Sequence, residues 1–254
     1  MSAERLVAVI GGSAAPAGRD IGLEVASDTD TPWGKPSGPV RAGSIEGRRV
    51  LWLARHGEPH AIAPHRVNYR ANLYALQTLG ATDVIALNTV GGIAAHASPG
   101  SLWLPDQLID YTWGRAASFH DGESLPLRHI EFGEPFDPRL RALLARAASD
   151  CGIHVSVTGV YGCTQGPRLE TAAEILRMRR DGCDLVGMTA LPEAALAREL
   201  GLRYASLAMV VNPAAGLAAE PITMEAITHE AAGCMERVLR VLACALTLAD
   251  QGFD

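Results

Sequence analysis

The chain has 254 residues, 48% of them hydrophobic and 20% charged, with a formal net charge of -6. That size and apolar share suffice for a sizeable buried core, so one compact domain is expected. The negative balance disfavours nucleic acid and anionic membrane as partners, and an anionic substrate would have to be met by local positive or N–H groups.

In chain order, apolar runs predict strands at Val7 to Ile10, Val50 to Ala54, Val84 to Leu87, Leu102 to Leu104, Val155 to Val160, Leu185 to Gly187 and Tyr204 to Val211. The first run is too short for a signal-peptide core or a bilayer span, and a cytoplasmic protein is expected. Helical patterns lie between the strands. Val67 to Leu79 stops at Gly80; Asp137 caps a helix with Pro138 in its first position, whose apolar Leu140, Leu143, Leu144 and Ala147 run toward Gly152. Glu170 to Arg180 stops at Gly182, and Pro192 to Leu200 at Gly201. A long last helix opens near Thr223 and carries the stripe Ile227, Ala231, Met235, Val238, Leu242 and Ala245. Residues 28–47 and 111–137 show no periodicity and read as functional loops or the cover of a subunit boundary. The alternation of strand and helix gives the class α/β, one sheet covered by helices. The five cysteines (Cys151, Cys163, Cys183, Cys234, Cys244) form no C-x-x-C pair and read as reduced, mostly buried thiols.

Polar groups recur just after strands. Gly11-Gly12-Ser13 follows the first, and two residues without a Cβ let backbone N–H groups approach an anion. It is neither a dinucleotide fingerprint nor a P-loop, because no Lys follows and Pro16 interrupts it. Arg55-His56-Gly57 follows the next, with a guanidinium fork suited to phosphate oxygens. Asn88-Thr89-Val90-Gly91-Gly92 and Met188-Thr189 complete the set, which favours an oxyanion site at the edge where ligands of α/β proteins bind.

The segments Val7-Ala8-Val9-Ile10-Gly11-Gly12-Ser13, Leu53-Ala54-Arg55-His56-Gly57, Val67-Asn68-Tyr69-Arg70-Ala71-Asn72, Gly166-Pro167-Arg168-Leu169-Glu170-Thr171 and Gly187-Met188-Thr189-Ala190-Leu191-Pro192-Glu193 span most of the chain. In order and spacing they resemble the trimeric purine nucleoside phosphorylase and methylthioadenosine phosphorylase family, most of all its bacterial methylthioinosine phosphorylase subgroup. The resemblance implies a single domain over residues 1–254, with a central mixed β-sheet flanked by helices. It implies Ser13, Arg55, His56, Asn88, Thr89 and Thr189 around phosphate, Met188 under the ribose, and a homotrimer in which His129 completes a neighbour's site. It implies no cofactor, inorganic phosphate being a co-substrate, and no metal. Ala14 stands where the family has a glycine, and would strain the loop if φ there were positive.

The resemblance also bears on the base. In inosine- and guanosine-cleaving members a Glu accepts the purine N1–H and an Asn bonds N7 and O6, and Glu170 and Asn212 fall on those positions. Asn212-Pro213-Ala214 lacks the aspartate pair of the methylthioadenosine-cleaving members, so a 6-oxopurine nucleoside is the expected substrate. Met224 matches a position near the 5′ group and, being apolar, suits methylthio over hydroxyl, or else it begins the apolar stripe of the last helix. Methylthioinosine is thus the leading substrate, ahead of ordinary inosine, guanosine or methylthioadenosine. The rival readings are a hydrolytic nucleosidase, which would use water, a noncatalytic nucleotide-binding module, which would release no base, and an inactive interaction protein that keeps the fold.

Overall fold

The computed structural model describes residues 5–16, 18–123, 125–218 and 222–250. A ten-stranded mixed sheet runs through it. The strands are β1 (Val7–Gly11), β2 (Glu24–Ser27), β3 (Val40–Ile45), β4 (Arg48–Ala54), β5 (Asp83–Gly92), β6 (Leu102–Trp103), β7 (Gln107–Asp110), β8 (Val160–Cys163), β9 (Leu185–Gly187) and β10 (Arg203–Pro213). The helices are α1 (Tyr69–Thr78), α2 (Pro138–Asp150), α3 (Ala172–Arg180), α4 (Ala190–Glu199) and α5 (Met224–Asp250).

The centre of the sheet is β5, with β1 and β10 parallel to it on either side. Buried on both faces, β5 opens as an apolar run from Val84 to Leu87, as a central parallel strand should, before Asn88 and Thr89. The period of two sorts side chains between the cores. Ala8 and Ile10 of β1 join the core beneath α1 and α4, while Val7 and Val9 join the one beneath α2 and α5. The stripe expected on the last helix is the face of α5 that closes the second core, through Ala231, Met235, Val238, Leu242 and Ala245.

Local chemistry sets the helix ends. Asp137 accepts the N–H of Leu140 at 2.8 Å. Thr171 and Glu174 form a capping box, so α3 begins at Ala172 and Glu170 stays outside it, in the preceding loop. Gly80 (φ +91) and Gly152 (φ +69) follow α1 and α2 in the left-handed region that favours glycine.

Several expectations are corrected. The 28–47 segment holds β3, which with β2 forms an antiparallel edge ribbon that is half-exposed and therefore lacks a clean apolar alternation. The strand expected at Val155 to Val160 is instead β8, over Val160–Cys163. Upstream of it Ser156 makes only an isolated bridge to Trp103, whereas β8 finds ladders on both sides, in β7 and β9. Strand propensity records fit to neighbours, and the neighbours lie further along. Cys151 and Cys244 are not reduced thiols but a disulfide, with Cα atoms 7.0 Å apart, because α2 packs on α5 across a separation of 93 residues. Cys163, Cys183 and Cys234 are free and buried. Residues 111–137 contain no helix or strand among the described residues, as expected. No helix of the described residues is long and apolar enough to cross a membrane.

Candidate active site

The site arises from a break in the sheet. Strand β1 pairs β5 only as far as Ile10 against Ala86. Beyond that, β9 takes its place antiparallel at Gly91 and Gly92, and β10 continues past a bulge between Val210 and Asn212. The crevice between the ends of β1 and β9 is a switch point of the sheet, where α/β proteins bind ligands. It holds a cavity of about 410 Å³, within the size range of small-molecule sites.

Ser13 after β1, Arg55 and His56 after β4, Asn88 and Thr89 on β5, Met188 and Thr189 after β9, Asn212 and Ala214 at the end of β10, and Glu170 and Met224 line this cavity. Pro213 is held in the ladder against Gly92 and is not part of the lining. His129 is exposed in the 111–137 segment, away from this cavity of its own chain.

The glycine loop is shaped by close approach. A Cβ on Gly12 would lie 2.5 Å from the Leu87 carbonyl oxygen and 3.1 Å from Arg55 Nη1, so the loop cannot lie against β5 with any larger residue there. Ala14 has no positive φ, packs at the margin of the α2/α5 core and carries none of the expected strain.

Arg55 is 1% exposed and its fork is turned onto a carboxylate: Nε and Nη2 each donate to Glu193 at 2.8 Å, while Nη1 donates to the Leu87 carbonyl at 3.0 Å. Tyr204 Oη donates to the same carboxylate at 2.8 Å. Burial works against the guanidinium charge, but Glu193 more than offsets it and holds the Arg55 pKa above its ordinary value. Two N–H bonds remain to this guanidinium for a ligand, one on each terminal nitrogen. This part of the cavity therefore carries less free positive charge than the Arg-His pair alone suggests.

Asn88 is similarly engaged. Its Oδ1 accepts from Ser206 Oγ at 2.8 Å and its Nδ2 donates to Thr189 Oγ1 at 2.9 Å. Because Thr189 accepts that bond, its own hydroxyl proton is left to donate elsewhere, which suits an anion in the cavity.

The His56 ring is 6% exposed and bonded through Nδ1 to the Ile62 carbonyl at 2.7 Å. A carbonyl only accepts, so the proton sits on Nδ1 and Nε2 of the neutral ring is an acceptor. Burial, then the nearby Arg55 charge, push the His56 pKa down from 6.5 to about 4. His60 lies against it with ring centroids 4.5 Å apart and planes tilted by 33°, and burial lowers its pKa too. A depressed pKa means that the unfolded chain takes up the proton first. The stabilisation from a neutral His56 is therefore complete above about pH 6.5 and is lost as pH falls toward about 4. The loss is about 1.4 kcal/mol per pH unit. Urea unfolding at stepped pH should show this slope, and His56→Gln should flatten it; equal slopes in both proteins would contradict it.

Also in the lining, Glu170 Oε1 accepts from Thr164 Oγ1 at 2.6 Å. Asn212 donates one amide hydrogen to the Pro213 carbonyl at 2.7 Å, which leaves the second hydrogen and Oδ1. Met224 is 70% exposed at the start of α5 and borders the cavity, so it stands apart from the core stripe of its helix. Glu193, Tyr204, Ser206, Thr164 and His60 do not stand out in the sequence. Glu193 lies within one of the resembling segments, but an acid beside an anion site signals nothing until the fold brings Arg55 to it across 138 residues.

Residues 6–247 match the family described as the Phosphorylase superfamily. The chain is 55% identical over 219 residues to the probable S-methyl-5'-thioinosine phosphorylase of Xanthomonas campestris pv. campestris, covering 86% of this chain and 88% of that one. It is 40% identical over 223 residues to the 6-oxopurine nucleoside phosphorylase of Pyrococcus furiosus, covering 86% and 83%. The solved methylthioadenosine phosphorylase of Schistosoma mansoni in complex with adenine superposes with a TM-score of 0.91 at 31% identity, over 98% of this chain and 93% of that one. With the family matched over residues 6–247 and relatives at 55% and 40% identity over most of their lengths, the chain belongs to the phosphorylase superfamily.

Proposed function

We propose that the protein is a pentosyltransferase that cleaves a 6-oxopurine ribonucleoside with inorganic phosphate, S-methyl-5'-thioinosine foremost, releasing hypoxanthine and 5-methylthioribose 1-phosphate. The observation that carries this reading is that Glu170 and Asn212 line one cavity together with Thr189, Asn88 and Arg55. Phosphate attacks C1′ as the bond to the purine breaks; the leaving base takes the electron pair and, to leave as neutral hypoxanthine, also a proton, which balances the one that hydrogen phosphate gives up in becoming the sugar 1-phosphate. Thr189 and the remaining Arg55 N–H groups hold phosphate in reach, and orientation of this kind is worth up to about 7 to 11 kcal/mol. Hydrogen phosphate can donate its own P–OH to Nε2 of neutral His56. Glu170 accepts N1–H, and the free Asn212 N–H stabilises charge developing at N7 or O6.

A 6-aminopurine fits less well, since adenine N1 is an acceptor and would face the Glu170 carboxylate lone pair to lone pair, at about 1 to 3 kcal/mol. Met224 offers the 5′ group no hydrogen bond, which favours methylthio. The reading extends to a cytoplasmic homotrimer in which His129 reaches an adjacent subunit's site, in keeping with its exposure and its distance from this chain's own cavity.

Incubation with methylthioinosine, inosine and methylthioadenosine, with and without phosphate, tests the reaction. Hypoxanthine is expected only with phosphate, and fastest from methylthioinosine. Release without phosphate would make the enzyme a hydrolase, and preference for methylthioadenosine would overturn the base assignment. Light scattering is expected to give a trimer; a fully active monomer would remove His129 from the site.

A further inference from the structure

Glu170 sits on the partition between the nucleoside cavity and a second cavity, of about 450 Å³, behind it. Thr164 lines only the second. Its hydroxyl reaches Glu170 Oε1 at 2.6 Å, in the range of a charge-assisted O–H···O bond. Among the described residues this is the hydrogen bond that the Glu170 carboxyl makes. The loop that carries Glu170 runs through Pro167, Arg168 and Leu169, all at the surface, so packing does little to hold the side chain.

Thr164 itself is well fixed. It follows β8, its N–H donates to the Gly187 carbonyl at 2.8 Å, and Arg115 clamps it by donating to the carbonyls of Thr164 (3.1 Å), Gln165 (2.8 Å) and Met188 (2.9 Å). The hydroxyl has one proton and two acceptors in view. The Gly187 carbonyl stands at 3.3 Å and already takes the backbone bond, so the nearer carboxylate receives it.

From this we infer that Thr164 is a specificity-determining positioning residue, resting on the assignment of Glu170 to the purine N1–H. By anchoring Oε1 from behind, the hydroxyl commits Oε2 to the nucleoside cavity as a fixed acceptor, which rewards a base that carries a hydrogen on N1. Without the anchor the carboxyl can turn away or swing toward solvent, and the discrimination between N1–H and bare N1 falls.

The experiment compares wild type, T164V and T164S with inosine, adenosine and phosphate, alongside thermal midpoints. In T164V the kcat/KM for inosine is expected to fall about tenfold or more, the usual worth of a hydrogen bond to a charged group. KM for inosine should rise while KM for phosphate holds, and the inosine-to-adenosine ratio should shrink. T164S, which keeps the hydroxyl, should restore the ratio. An unchanged ratio in T164V overturns the inference, and so does an equal loss for both nucleosides and phosphate, the mark of general loosening. If T164V does not fold, T164A removes the same hydroxyl and is read by the same criteria. A wild type that does not prefer inosine to adenosine defeats the base assignment itself; a selective wild type with equally selective variants defeats only the role of Thr164.

Discussion

Arg55→Ala is expected to cost about 3 to 5 kcal/mol of folding stability, because it leaves the Glu193 carboxylate charged, buried and without its partner. The pair is 1% and 0% exposed, so water cannot replace the lost guanidinium. Tyr204 supplies the carboxylate one hydrogen bond, too little to solvate a charge. Urea unfolding monitored at equilibrium measures the loss. Adding Glu193→Gln to Arg55→Ala should recover part of it by removing the stranded charge, a coupling expected of groups in direct contact. A loss under about 1 kcal/mol would mean that the site relaxes or floods, and that the ion pair does not organise it. In whatever fraction remains folded, half-saturation by phosphate should rise more than that by nucleoside if, as proposed, the free N–H groups of Arg55 meet phosphate. If phosphate saturation is unchanged, the anion lies elsewhere in the cavity.

Asn212→Asp is expected to lower kcat/KM for 6-oxopurine nucleosides by about a hundredfold, the effect of losing one donor to developing charge, about 3 kcal/mol. An amide both donates and accepts, whereas an ionised carboxylate only accepts. The substitution also sets a carboxylate oxygen against the Pro213 carbonyl, where the amide now donates at 2.7 Å, and so turns the side chain from its present orientation. Glu170 still opposes adenine in this variant. Turnover of methylthioadenosine should therefore rise by less than turnover of methylthioinosine falls. Steady-state kinetics with both nucleosides decide the matter, and a variant that retains wild-type methylthioinosine turnover would show that Asn212 does not meet the leaving base.

Much of the architecture is legible in the sequence because its causes are local. The apolar run that opens β5, the Asp137-Pro138 cap and the glycine stops at Gly80 and Gly152 each depend on a few neighbouring residues, and each stands in the fold where its chemistry puts it. The polar groups after β1, β4 and β9 likewise form a recognisable set in the sequence; parallel β1 and β4 deliver their ends to one edge, whereas Asn88 and Thr89 lie within β5 and meet the end of β9 because β9 runs antiparallel to it. The tertiary structure decided what those groups touch. Only folding turns Arg55 onto Glu193, engages Asn88 between Ser206 and Thr189, puts Thr164 behind Glu170, and separates His129 from its own cavity. It also placed β8 beyond the most strand-like residues, paired β2 with β3 as an edge ribbon, and joined Cys151 to Cys244. Caps, turns and periodicities are set by backbone geometry over a few residues, whereas a buried hydrogen-bond network is set by which distant side chains the packed core leaves no alternative but to meet.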